Sequence, residues 1–407
     1  MRLLAGRVVP VVLAVLAVIV IAAVTLIVSI KREPVFWQRY WVALNHGGHD
    51  LPLSFFEPRE QVVGGNMAPA PRVSPDLEML DVNAMIEASH YAAAHGSRAL
   101  IVTRHGHIVF ERYWGGTGFD TLEDSQTMSR TLAALLVGIA IGDRKIGWPD
   151  EPIGNFIPEW KNDPRGAITV RNLMQLSSGL APAGSTANPW SAAARMQFGT
   201  DVQAAALSRT LAGRPGETWA DQAADPQLLA RVIERATKDR YADYLSVELW
   251  RKLGAADAWL WLDRAGGTAR ADCCFLARQG DWIRVGELLS DNGRYQGDEI
   301  VPPGWVAQLL QPAKSNPEFG ASLRITAEGI ASEPYALKDV FLVDARGYRL
   351  WLVPSMKLVI LRTGPEIQAG SDWDDARIPN MIIRSARDYV PPQARPGSDL
   401  KNLVPNH

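Results

Sequence analysis

Apolar positions along the chain follow three distinct patterns. The first is unbroken: Val8 to Ile30 carries no charge and lies between Arg2 and Arg7 on one side and Lys31 and Arg32 on the other. A run of that length crosses a bilayer as a helix, and it is longer than the apolar core of a signal peptide. The second pattern is helical. Leu132, Leu135, Leu136 and Ile139 recur at i, i+3, i+4 and i+7 with small residues between them, which predicts a core helix over Thr127 to Ile141 that neighbours approach closely. The third belongs to strands. Ala99 to Arg104 and His107 to Tyr113, joined through His105 and Gly106, read as a hairpin, and further strands are expected at Val340 to Asp344, Tyr348 to Val353 and Leu358 to Thr363. Helices are expected at Val82 to His95 and near Trp373 to Tyr389.

These elements divide the chain. Residues 1–32 form a membrane anchor, uncleaved because no small-x-small site follows the apolar run. Residues 33–80 mix Phe36, Trp37, Tyr40, Trp41, Phe55 and Phe56 with Pro and Gly, and read as an interfacial section followed by an extended linker packed on the domain. From Thr127 to Leu310 the chain is mostly helical, with turns at Gly147 to Asp150, Gly213 to Gly216 and Pro302 to Gly304. Strands at both ends of such a middle predict one discontinuous α/β domain over 81–395. Its sheet is built from 81–126 and 320–395, an α subdomain (127–319) is inserted, and a tail follows at 396–407.

Composition narrows the function. The formal net charge of the 407 residues is -2, so no basic surface is offered to nucleic acid, and that partner is excluded. The 14 Trp fit packing and interfacial anchoring. Cys273 and Cys274 are adjacent, so they cannot staple a loop, and there is no second pair for zinc. His46, His49 and Asp50 surround two glycines, a spacing that fixes no metal geometry and reads as a solvated loop; His105 and His107 flank a turn and read as exposed. No cofactor and no metal is expected.

Several segments carry a resemblance: Leu100-Ile101-Val102 through Phe110 to Tyr113, Asp150 to Ile153, Val170 to Leu180, Pro215-Gly216 with Gln227 to Leu229, and the Thr127 to Ile141 helix itself. Over roughly residues 80 to 390 the chain resembles β-lactamase-related serine hydrolases, a group that includes penicillin-binding proteins, esterases and 6-aminohexanoate-dimer hydrolases. The resemblance implies a β-lactamase/DD-peptidase-like fold, an antiparallel sheet flanked by helices, and a domain outside the cytoplasmic membrane, since positive charge on both flanks of the anchor leaves its orientation open.

It also implies three chemical positions, and each is altered. A family enzyme opens the buried helix with Ser-x-x-Lys; here Thr127 and Arg130 stand there. Threonine keeps a hydroxyl but its methyl restricts χ1, and a guanidinium cannot serve as general base. Ser129, two residues along the helix, points away from the face of Thr127. The Tyr-x-Asn position, five residues past Gly216, holds Asp221 with Ala223 two further on. Asp221 is read either as an ion-pair partner of Arg130 or as a base for Thr127. The third position, a Lys or His followed by glycines on a strand, is occupied by Ala345, Arg346, Gly347 and Tyr348, and the Tyr348 ring is expected to fill part of the groove. The reading is a membrane-anchored, serine-hydrolase-fold protein that has lost the family's hydrolysis and binds a cell-envelope peptide or a partner protein. The alternative is an amide or ester hydrolase with Thr127 as nucleophile and Asp221 as base.

Overall fold

The computed structural model of the protein describes residues 2–47, 51–321, 332–368 and 370–391, with side chains from Leu13 onward. Helix α1 (Arg2–Arg32) packs against little else: Leu13, Val18 and Ile21 are all more than half exposed. Only Glu33 separates it from α2 (Pro34–Asn45), where Pro34 takes the first turn, whose N–H groups have no intrahelical acceptor in any case. Phe36, Trp37, Tyr40 and Ala43 recur at i, i+1, i+4 and i+7 and are buried on the domain. Residues 33–80 therefore do more than link. They supply this helix and strand β1 (Arg59–Val62), and their helical spacing was masked by the Pro and Gly around it.

The domain proper begins with α3 (Val82–Ala94), capped by the Asp81 carboxylate accepting from the Asn83 N–H. Strands β2 (Ala99–Arg104), β3 (His107–Tyr113) and β4 (Leu122–Asp124) lead into α4 (Ser129–Gly142). The middle of the chain contributes α5 (Val170–Met174), α6 (Ala192–Phe198), α7 (Val202–Leu207), α8 (Ala224–Thr237) and α9 (Tyr241–Leu245). Then follow β5 (Ala258–Trp261), β6 (Phe275–Arg278), α10 (Gln279–Ser290), a small hairpin of β7 (Arg294–Tyr295) and β8 (Asp298–Glu299), and α11 (Trp305–Leu309). The chain closes with β9 (Phe341–Asp344), β10 (Arg349–Val353), β11 (Leu358–Thr363) and α12 (Arg377–Ser385).

The five-stranded sheet runs β3-β2-β11-β10-β9, antiparallel throughout, and so joins the two ends of the chain as the hydrophobic pattern required. Alternate residues feed different cores. Leu100, Val102, Trp351 and Ile360 pack with Met85 of α3 and Ile378 and Ile382 of α12, while Ile101, Leu350, Leu352 and Val359 pack with Val285 and Leu288 of α10. With both faces covered, every residue of β2, β10 and β11 is buried.

The middle is less purely helical than its sequence suggests, because it supplies two of the four strands of a second antiparallel sheet, ordered β1-β5-β6-β4. Its strands are three or four residues long, too short to display a period of two. This sheet sets the site. β4 ends at Asp124, and a single 3-10 turn, Gln126–Met128, carries the chain into α4 beside β6.

Candidate active site

Helix α4 is buried on every side from Thr131 to Ala140, which fixes its N-terminal end rigidly at the wall of a cavity of about 980 Å³. Thr127 and Arg130 both line that cavity, as the one-turn spacing anticipates. Ser129 does not; it is buried, and its hydroxyl donates to the Gln126 carbonyl.

The Thr127 hydroxyl has no hydrogen-bond partner among the described residues. Arg130 is engaged elsewhere: Nη1 donates to Asp221 Oδ1 at 2.5 Å and Nε donates to the Asp272 carbonyl at 3.2 Å. The pair forms through one nitrogen and one oxygen, not as a fork. The Arg130 side chain is 11% exposed and that of Asp221 57%, so the bridge closes over the cavity rim from a nearly buried cation to a solvated carboxylate. Its attraction is partly screened by water.

Ala223 lines the cavity at the start of α8, and of the third position Ala345, Arg346 and Tyr348 line it too. The Tyr348 ring is buried as part of the wall, and its hydroxyl donates to Glu123 Oε2 at 2.7 Å. The ring narrows the groove without closing it. Gly347 corrects the sequence reading. It is not among the lining residues, and a Cβ there would lie 2.2 Å from the Gly364 carbonyl oxygen and 2.4 Å from that of Pro365. The glycine is needed for backbone packing away from the cleft, not for the approach of a ligand.

Sequence reasoning missed two carboxyls on this wall and a third beneath it. Asp124, three residues before Thr127, accepts from the Gln126 N–H at 2.9 Å; withdrawal from water pushes its carboxyl up to about 7, and the nearby Asp272 adds to this. Burial also raises Asp272 itself. Below the cavity, Asp225 is wholly buried in the first turn of α8, where Oδ1 accepts from the Ser178 hydroxyl at 2.6 Å and from Gln222 Nε2 at 3.4 Å. Loss of hydration pushes Asp225 up to about 7 despite those donors. The signal in the sequence was an acidic residue at a helix start, a position that usually means only capping.

A further surprise is Cys273 and Cys274, which also line the cavity and are bonded to each other, with Cα atoms 3.7 Å apart. The bridge closes no loop. His105 and His107 both contact the Glu78 carboxylate at 2.6 Å on the domain surface, and no metal-holding cluster occurs among the described residues. Of the glycine-rich stretch considered for a metal, His46 is exposed, while Gly48, His49 and Asp50 lie outside the described residues, as does the tail at 396–407.

The beta-lactamase family profile matches residues 82–349, well over half the chain. The chain belongs to the beta-lactamase family. A 6-aminohexanoate-dimer hydrolase of Paenarthrobacter ureafaciens is 25% identical over 307 residues, covering 68% of this chain and 73% of that protein. Among solved structures, a penicillin-binding protein homologue from Caulobacter crescentus superposes with a TM-score of 0.59 at 15% identity, over 77% of this chain and 98% of its own. EstCE1, a hydrolase with promiscuous acyltransferase activity, gives a TM-score of 0.59 at 13% identity, over 77% and 99%.

Proposed function

We propose that this chain is a membrane-anchored member of the beta-lactamase family whose family-type hydrolysis is lost or impaired, and that it acts in the cell envelope as a binding or scaffolding protein. One observation carries the reading. The Thr127 hydroxyl has no base hydrogen-bonded to it among the described residues, and the residue one turn on, Arg130, bears a guanidinium, a donor with no acceptor site for the hydroxyl's proton, and is tied to Asp221. Proton removal from the hydroxyl therefore has no acceptor in place. The rewired hydrolase, with Asp221 as base, is weakened by the same contact, because Asp221 Oδ1 is occupied by Arg130 and no hydrogen bond links Asp221 to Thr127.

Anchoring rests on α1, of which Leu13–Arg32 is long and apolar enough to cross a bilayer and is unburied by the rest of the protein. The open cavity, lined by both charged and apolar side chains, supports binding. The decisive experiment is labelling with a fluorophosphonate and with a fluorescent penicillin. Neither should modify the protein. Stoichiometric adducts on Thr127 would refute the reading.

A further inference from the structure

The sequence holds two cysteines, Cys273 and Cys274, and the bond between them joins chain neighbours. Closing no loop, it removes almost no chain entropy from the unfolded state, which is the usual gain from a structural disulfide. Its effect is local instead. The S–S bond closes a small ring with the peptide between the two residues, and that ring contains the ψ bond of Cys273 and the φ bond of Cys274. Cys274 has a φ of +68°, in the left-handed region, which a residue with a Cβ rarely adopts unless its surroundings impose it. The ring is one such constraint.

The same short stretch holds the residues around Thr127. The Asp272 carbonyl accepts from Arg130 Nε at 3.2 Å. The Phe275 carbonyl accepts from the Ser125 N–H at 2.9 Å and from the Ser125 hydroxyl at 2.7 Å. Between these two contacts, the Cys274 N–H donates to the Asp124 carboxyl, and the Cys274 carbonyl accepts from the Trp261 N–H at 3.3 Å. Residues 272–275 therefore hold both sides of the 3-10 turn on which Thr127 stands, the end of β4 before it and the first turn of α4 after it.

Both cysteines line the cavity, whose volume of about 980 Å³ lies at the upper end of what takes a drug-sized molecule. Exposed residues such as Asp221 and Leu53 line it as well, so it opens to water. Cys273, 9% exposed, is the more accessible of the pair, and Cys274 is 2% exposed. Disulfides that solvent reaches are the labile ones.

We propose that Cys273–Cys274 is a thiol-exchange site: a low-molecular-weight thiol entering the cavity reduces the bond and thereby loosens the turn that presents Thr127 and Arg130. A thiolate RS⁻ attacks Cys273 Sγ, the S–S bond breaks, and Cys274 leaves as a thiolate. A second RS⁻ attacks the R sulfur of the mixed disulfide, which releases Cys273 and yields RSSR. Two electrons pass from two thiols to the cystine, and the two thiol protons end on the cysteines. With the ring open, Cys274 relaxes toward negative φ and its N–H turns from Asp124. This exchange requires neither the anchor nor the loss of hydrolysis, so it stands or falls separately from the reading above.

The test treats the full chain, in detergent micelles and without denaturant, with reduced glutathione, then traps free thiols by alkylation and maps them by peptide mass spectrometry. Both cysteines should resist alkylation before glutathione is added and accept it afterwards, with the glutathione adduct found transiently on Cys273. The rate should not change with urea below the unfolding transition, because attack occurs on the folded chain. In the reduced chain, hydrogen exchange at the Ser125 and Cys274 amides should quicken about tenfold, the scale of releasing one residue from the left-handed region. Exchange at 132–139 should stay as it was. The double variant Cys273→Ser, Cys274→Ser should match the reduced chain without glutathione and ignore its addition. The reduced native chain reports the same effect even where the double variant does not fold. A rate that climbs with urea, free thiols in the untreated protein, or reduction with no change at 122–130 would each overturn the proposal.

Discussion

Single side chains decide the chemistry here, and buried carboxyls show how strongly position acts. Asp225 has no water around it, and its folded-state value of about 7 lies above the 3.8 of a free carboxyl. The folded state therefore holds this proton more tightly than the unfolded state. The stability it contributes is fully present below about 4 and is lost as pH rises through 7. Asp225→Asn keeps an oxygen for the Ser178 hydroxyl but removes the titration. Thermal melts at pH 5 and pH 8 should show a larger fall for the native chain than for the variant, by on the order of 3 kcal/mol at most. Equal falls would mean that Asp225 does not carry a displaced proton. Other raised carboxyls, Asp124 and Glu287 among them, contribute the same sign to both proteins and cancel in the difference.

At the scale of elements, α4 matters because it is enclosed. Gly138 faces the Trp305 indole of α11, and a Cβ there would sit 2.2 Å from the ring, whose Nε1 donates to the Ala134 carbonyl at 2.9 Å. Replacing a helix glycine with alanine gains up to about 1 kcal/mol in propensity. Overpacking a full core costs about 1–3 kcal/mol, and here the indole is held by its hydrogen bond and has no free path. Gly138→Ala should therefore lower the melting midpoint while circular dichroism at 222 nm stays native. A raised midpoint would show that α11 shifts freely. The small residues of this helix were read from the sequence as allowing close approach, and the Trp305 contact is what they accommodate.

Across the whole molecule, the link between α1 and the domain depends on Arg39. Its buried guanidinium donates to carbonyls drawn from three separate stretches of chain and lies over the Trp261 ring at 4.8 Å. Its loss strands those acceptors and opens a gap under α2. Arg39→Ala should cost about 3 kcal/mol, on the scale of hydrogen bonds made by a charged group. It should also make residues 33–62 the first site of limited proteolysis. Arg39→Lys should restore only part of the protection, because an ammonium cannot span the same acceptors. Unchanged resistance in Arg39→Ala would show that the aromatic cluster of Phe36, Trp37 and Tyr40 holds α2 by itself.

The fold was largely legible along the chain because its main sheet and its central helix are long enough to repeat their period. Leu132 to Ile139, the hairpin at 99–113 and the three closing strands each carry several turns or alternations of pattern. The residues at 127, 130 and 221 were legible for a simpler reason: their identities, read directly from the chain, differ from those the family resemblance implies. What tertiary structure decided lies wherever few residues act or distant ones meet. The second sheet has strands too short to show alternation, α2 is helical because the domain offers its aromatics a surface, and Gly347 turns to the backbone of 364–365 instead of the cleft. The proton affinities of Asp124 and Asp225, and the meeting of Thr127, Arg130, Asp221 and Asp272 at one cavity, come from desolvation and long-range contact. No local pattern encodes those.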